Sequence, residues 1–336
     1  MKMSPAVDRE DADGYTLPAM GKLSRRIFGI SLEEVGYSRR GFRGGAPEIR
    51  ARLENVGRSF LAGYHAALEE DQAESLVARL ETIDPWYRGF AYEGAAMSLT
   101  LLDALTPWRR TRLRDFLADT GGDHVYMAHV GAGWAIARLP LGMRGVLARL
   151  DPLLSWLAFD GYGFHQGFFH WPRTVEGARE VPRRLRGYER RVFDQGLGRS
   201  LWFVDGAEIE RVASTISRFP ASRRPDLWAG IGLASTYTGG VDKASLIALK
   251  QAAGELWPQL AQGSAFAAEA RRRAGNLVEQ TRIASEVFCE LTAEAAAELT
   301  QETLENLAPA GQQPAYEVWR QRIQDELSRS SRAKIA

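Results

Sequence analysis

Ala46-Pro-Glu-Ile-Arg-Ala-Arg-Leu-Glu-Asn-Val-Gly-Arg-Ser-Phe-Leu-Ala-Gly-Tyr64 settles the fold class. Its apolar positions Ile49, Leu53, Val56, Phe60 and Tyr64 recur at steps of three and four, so they share one face of an α-helix. Pro47 stands at the first helical position, where a missing N–H costs nothing. The same periodicity predicts helices over 74–80, 85–105, 107–118, 123–139, 144–169, 187–203, 208–219, 225–238, 242–260, 264–291, 292–307 and 314–328. Asp242 and Thr292 read as N-caps. No stretch alternates as a half-buried strand does, and the chain reads as all-α.

Outward from this helix a repeat comes into view. Gly36-Tyr-Ser-Arg-Arg-Gly-Phe42 is similar to Gly187-Tyr-Glu-Arg-Arg-Val-Phe193, Gly57-Arg-Ser-Phe60 to Gly198-Arg-Ser-Leu201, and Phe90-Ala-Tyr-Glu-Gly-Ala-Ala96 to Trp228-Ala-Gly-Ile-Gly-Leu-Ala234. Three matches in one order point to a duplicated multi-helix unit packed into one helical body. The expected organisation is a polar N-terminal arm (1–27), a first helical repeat (28–140), a connecting helix (141–167), a second repeat (168–285), and C-terminal helices and tail (286–336). The tail is set off by Ala308-Pro-Ala-Gly-Gln-Gln-Pro314, a linker by composition.

The 336 residues hold 43 Lys and Arg against 42 Asp and Glu, a net charge of +1 that gives no field for gathering nucleic acid. Cys289 is the only cysteine, which excludes an intrachain disulfide and any multi-thiolate metal site, and it reads as a small apolar filler. No apolar run reaches the roughly 18 residues a membrane span needs. Met1 to Tyr15 lacks the cationic start and apolar run of a signal peptide, so a cytoplasmic protein is expected.

The common catalytic signatures are missing. Gly131-Ala-Gly133 and Gly161-Tyr-Gly163 neither follow a strand nor complete a dinucleotide fingerprint. Gly198-Arg-Ser-Leu-Trp202 lacks the second glycine of a nucleophile elbow. His124 and His129, like His165 and His170, are five residues apart and off a common helix face, so neither pair is a local metal clip. No metal ligand and no cofactor is evident. Glycine is the anomaly: 33 occur in a helical chain, many inside helical pattern (Gly131, Gly133, Gly161, Gly163, Gly167, Gly230, Gly232). They mark either close helix packing or room beside a pocket, and the crowding of aromatics nearby favours an apolar pocket.

Polar groups within apolar surroundings are the remaining signal. Glu93 lies in Trp86-Tyr-Arg-Gly-Phe-Ala-Tyr-Glu-Gly-Ala-Ala-Met97, and its repeat counterpart is Ile231. Asp160 and His165 lie in Leu157-Ala-Phe-Asp-Gly-Tyr-Gly-Phe-His-Gln-Gly-Phe-Phe169. Burying an unpaired charge is expensive, so Glu93 and Asp160 need partners, with Arg58, Arg88 and Arg199 the candidates. The structural alternative is an ion pair or cap for the carboxylates and a satisfied core histidine. In the functional reading Glu93, Asp160 and His165 are catalytic. Arg88, Tyr92, Trp134, Tyr162, Phe164, Phe168, Arg199, Trp228 and Tyr237 then line the substrate site.

Phe159-Asp-Gly-Tyr-Gly-Phe-His-Gln-Gly-Phe-Phe169, Gly198-Arg-Ser-Leu-Trp-Phe203, Tyr92-Glu-Gly-Ala-Ala-Met97 and Trp228-Ala-Gly-Ile-Gly232 resemble a bacterial family of unknown function encoded beside the polyketide synthases of enediyne antibiotics. The resemblance runs from about 28 to 305. It implies a part in enediyne biosynthesis, on or beside a long linear polyene, with the synthase as a possible partner. It carries over no catalytic residue. Gln166 occupies a position where an acidic residue after the histidine is half expected. Two functions follow: an enzyme that cyclises or isomerises an apolar polyene in an aromatic-lined cavity, or a non-catalytic polyene-binding or scaffold protein of the same pathway.

Overall fold

The computed structural model describes residues 19–335 apart from 107, 119, 140, 141, 178–180, 309 and 310. Every regular element among them is helical. The expected all-α class holds. After α1 (Ala19–Phe28), seven long helices follow: α2 (Pro47–Glu69), α3 (Pro85–Leu105), α4 (Val125–Arg138), α5 (Leu157–Phe169), α6 (Glu189–Val204), α7 (Arg224–Thr238) and α8 (Trp257–Arg273). Each packs on the next, and α9 (Ala293–Glu302) extends the row beyond α8. Short helices such as Ala73–Glu81, Ile209–Ser217, Lys243–Ala253 and Glu279–Phe288 connect successive members. The row bends back on itself: Phe90 of α3 meets Tyr237 of α7 at 5.2 Å between ring centroids, and Arg271 of α8 donates to the Trp86 carbonyl at 3.1 Å. The last helix, α10 (Ala315–Ile335), packs on α8 and buries Tyr316, Trp319, Arg320, Ile323 and Leu327.

Glycine sets the spacing of the row. A Cβ on Gly63 of α2 would lie 1.9 Å from the Ala91 carbonyl of α3, and one on Gly94 of α3 would lie 1.9 Å from the Phe60 carbonyl of α2. At α3–α4 the contact is one-sided, through Gly131, and the reciprocal form recurs from α4–α5 to α7–α8 through Gly133 and Gly161, Gly163 and Gly196, Gly198 and Gly230, and Gly232 and Gly263. Two positions along a helix turn through about 200°, so each Gly-x-Gly touches one neighbour with its first glycine and the other neighbour with its second. Side chains are absent where backbones meet, which allows Cα–H to carbonyl contacts. Of the two readings of these glycines, close helix packing holds and room beside a pocket does not: each space but that of Gly167 is filled by a neighbouring backbone. Gly167 is filled as well, by Ser200. The packing also sets its own register, in which Gly198 takes the place held by Gly63, whereas the sequence match aligns Gly198 with Gly57.

Several boundaries differ from the periodicity. The stretch 144–169 breaks into Met143–Leu147 and α5, because Asp151 Oδ1 accepts from the Leu153 and Leu154 amides at 2.9 and 2.8 Å ahead of α5. The stretches 242–260 and 264–291 divide instead at Gly254 (φ 53°) and Gly275 (φ 62°), left-handed positions that stop a helix. Between them α8 runs unbroken. Among the described residues of 107–118, the helix covers only Arg112–Leu117. Asp242 and Thr292 cap as expected, accepting from Ser245 and Ala295 amides at 2.8 and 3.1 Å. Of the arm 1–27, residues 1–18 lie outside the described residues and the rest belongs to α1. The segment 141–167, expected to connect two halves, contributes α5 to the row itself.

Candidate functional site: a polar centre between two apolar cavities

Because the row curls, side chains from its members converge on one interior point. The α3 sequence supplies Glu93, 1 % exposed, among small and aromatic neighbours. Its Oε1 accepts from Trp134 Nε1 of α4 at 2.9 Å. Its Oε2 has no hydrogen-bond partner, the Arg199 Nη2 of α6 lying 3.9 Å away. Burial pushes the Glu93 carboxyl up to about 7, against the pull of Arg199 and the Trp134 hydrogen bond.

Asp160 of α5 is fully buried and fully paired. Oδ1 accepts from Arg199 Nη1 at 2.5 Å, and Oδ2 from Gln195 Nε2 at 2.7 Å. Gln195 reaches the Tyr316 hydroxyl of α10 at 3.3 Å. Arg199 lies over the Phe164 ring, 4.8 Å from its centroid. One guanidinium thus serves two carboxylates, engaging Asp160 tightly and Glu93 loosely.

Two cavities flank this centre. The first has Glu93 in its wall and is otherwise apolar: Phe60, Phe90, Met97, Trp134, Phe164, Phe168 and Phe203 face it, and Ile30 and Val35 contribute from the segment before α2. The second is lined by Arg199 and Tyr237 together with Met127, Val130, Leu157, Leu233, Phe266 and Trp319. Each encloses about 30 Å³, water-sized space far smaller than the roughly 150 Å³ that holds a benzene. Tyr237 carries a buried hydroxyl with no partner. Glu93 lines the first space and its contact Arg199 lines the second.

Of the residues singled out in the sequence, the structure brings Glu93, Asp160, Arg199 and Trp134 into one network. It places Phe164, Phe168 and Tyr237 on the cavity walls. Others go elsewhere. His165 packs against Trp134 and Phe169, ring centroids 5.5 and 4.8 Å away, and lines neither cavity. Burial holds it down to about 3, so it stays neutral. The expected pairing of Arg88 is corrected: it bonds Glu81 and the Ile83 carbonyl, because five helical residues separate it from Glu93. Arg58 likewise pairs with Glu54 on the surface. Tyr92 donates to Glu81 at 2.8 Å and stacks on His124, buried outside both linings. Tyr162 is held by Arg184, and Trp228 is buried outside both described linings. Sequence reasoning missed Gln195 and Tyr316. Gln195 sits directly before Gly196, a position its glycine contact could have flagged. Tyr316 comes from the far end of the chain, and no local pattern marks it.

Among the described residues no three His, Cys, Asp or Glu side chains gather where they could hold a metal ion, and no helix is long and apolar enough to cross a membrane. The sequence model of a family described as "Protein of unknown function (DUF1702)" matches residues 19–327. No curated protein and no solved structure matches the chain.

Proposed function

The chain belongs to the DUF1702 family, whose function is unknown, and from that premise we propose that it rearranges an apolar, unsaturated intermediate by proton transfer, with Glu93 as the acid/base group. The observation that carries this reading is Glu93: a buried carboxylate in the lining of an aromatic cavity, with an Oε2 that accepts no hydrogen bond. A carboxyl near neutrality can take and return a proton at physiological pH, where an ordinary exposed glutamate holds only its anion. The aromatic wall suits a hydrocarbon-like chain that offers few polar handles. The sequence resemblance to the enediyne-cluster family supplies the substrate class, a linear polyene or polyketide intermediate, and with it a cytoplasmic setting beside the synthase.

A second reading, a non-catalytic polyene binder or scaffold, draws on the tight glycine packing and the small cavities. The two part at Glu93. Glu93→Gln is near-isosteric, so an enzyme keeps ligand binding and loses product, while a binder keeps both. The measurement is product formation in cells co-expressing the polyene synthase and its thioesterase, alongside native mass spectrometry of the purified protein for bound polyene and metal. Unchanged product with Glu93→Gln overturns the enzymatic reading.

A further inference from the structure

Gly89 and Glu93 are four residues apart on α3 and therefore share a face one turn apart. A Cβ on Gly89 would fall 1.9 Å from the Tyr237 hydroxyl. The absent side chain makes the place where Tyr237 reaches that face. The hydroxyl is buried and unpaired, and Tyr237 and Arg199 together line the second cavity. Glu93 Oε2, also without a hydrogen-bond partner, stands 3.9 Å from Arg199, and Glu93 lines the first cavity. An unpaired carboxylate oxygen is a proton acceptor. A tyrosine hydroxyl and a guanidinium are donors to an oxygen that becomes negative.

We propose that the ligand is a conjugated carbonyl compound, its oxygen held by Tyr237 and Arg199, and that the reaction is migration of a double bond along its chain. This rests on the proposed role of Glu93 and names the substrate class for it. The Glu93 carboxylate removes a proton from the saturated carbon that adjoins the conjugated chain. The C–H electron pair moves through the π system onto the oxygen, giving a dienolate stabilised by the Tyr237 hydroxyl and the Arg199 guanidinium. The Glu93 carboxylic acid then returns the proton to a different carbon and the carbonyl re-forms. Substrate and product are isomers, so no oxidant, reductant or cofactor is consumed. Arg199 is anchored by Asp160, which leaves its second Nη free to turn from Glu93 toward a ligand oxygen. Occupation requires the side chains around the two cavities to part, and the 3.9 Å Glu93–Arg199 contact, which joins the two linings, is a loose one.

The test uses a linear conjugated trienone and the triene hydrocarbon of equal length, titrated by ultraviolet absorption into the wild-type protein and Tyr237→Phe. The expected result is at least ten-fold tighter binding of the trienone, a red shift of its absorption on binding, and loss of both differences in Tyr237→Phe with triene affinity unchanged. In deuterated water the bound trienone exchanges carbon-bound hydrogen by NMR, and Glu93→Gln abolishes that exchange. Equal affinity for the two probes in wild type, or a red shift that survives Tyr237→Phe, overturns the carbonyl proposal while leaving the apolar-ligand reading intact. Binding of neither probe overturns both. Removing an unpaired hydroxyl leaves no buried group unsatisfied. Should Tyr237→Phe still fail to fold, Gly89→Ala, which puts a methyl where the hydroxyl lies, must abolish the same preference and shift.

Discussion

Two clusters of buried carboxylates in this protein are built from similar parts and end differently. Beneath α10, Asp226 and Glu317 are shared by Arg191 and Arg320, and all four carboxylate oxygens accept hydrogen bonds. Arg191 grips Asp226 through both oxygens at 3.0 and 3.1 Å, while Tyr188 donates to Glu317 at 2.6 Å. At the centre, Arg199 satisfies Asp160 and stops 3.9 Å short of Glu93. The paired cluster fastens the last helix to the body. The incompletely paired one faces empty apolar space, where a group held away from its preferred charge state can do chemistry.

If that contrast is right, the variants separate by kind of effect. The largest is on activity. Glu93→Gln should lower turnover by about 10²–10⁴-fold, the range of a lost general acid/base, in a product assay with ligand binding retained. Next comes stability at the paired cluster. Asp226→Ala leaves Arg191 and Arg320 with Glu317 as their one shared carboxylate and should cost about 3–5 kcal/mol by urea unfolding, against a much smaller effect on the Glu93 chemistry.

The pH dependence of Glu93 follows. Its folded carboxyl titrates at about 7, above the ordinary value of 4.5, so the folded state holds a proton that the unfolded state has released between those values. Stability from this group is complete below about pH 4.5 and falls as pH rises to 7, by roughly 3 kcal/mol in all. Glu93→Gln should remove that decline in unfolding measured from pH 5 to 8, and the wild-type rate should rise through pH 7 as the base forms. The smallest effect belongs to the seams. Gly163→Ala sets a methyl 2.0 Å from the Phe193 carbonyl and should cost about 1–3 kcal/mol, whereas Gly145→Ala, with nothing within 4 Å, should gain up to about 1 kcal/mol. Equal results for the two glycines would refute the account of the seams.

Much of the site could be read locally. Glu93 and Asp160 stood out as carboxylates in apolar surroundings, and Arg199 was a named partner. Arg88 failed because nearness in sequence is not nearness around a helix, and His165 failed for the same reason: five residues from Asp160, it leaves on another face. The aromatic candidates divided by the same rule. Phe164 and Phe168, four apart, share the cavity face, while Tyr162 turns outward to Arg184.

The sequence by itself determined an all-helical protein, because the spacing of apolar residues fixes which way each helix must face. It also set where backbones can touch, because a Gly-x-Gly leaves two opposite sides of a helix bare. Only the tertiary structure decided that the row closes, bringing Glu93 of α3 to Arg199 of α6 and Tyr237 of α7, and that Tyr316 of α10 completes the network. These contacts join residues far apart in the chain. Their geometry depends on the accumulated angles of successive helix pairs, and no local pattern records that sum.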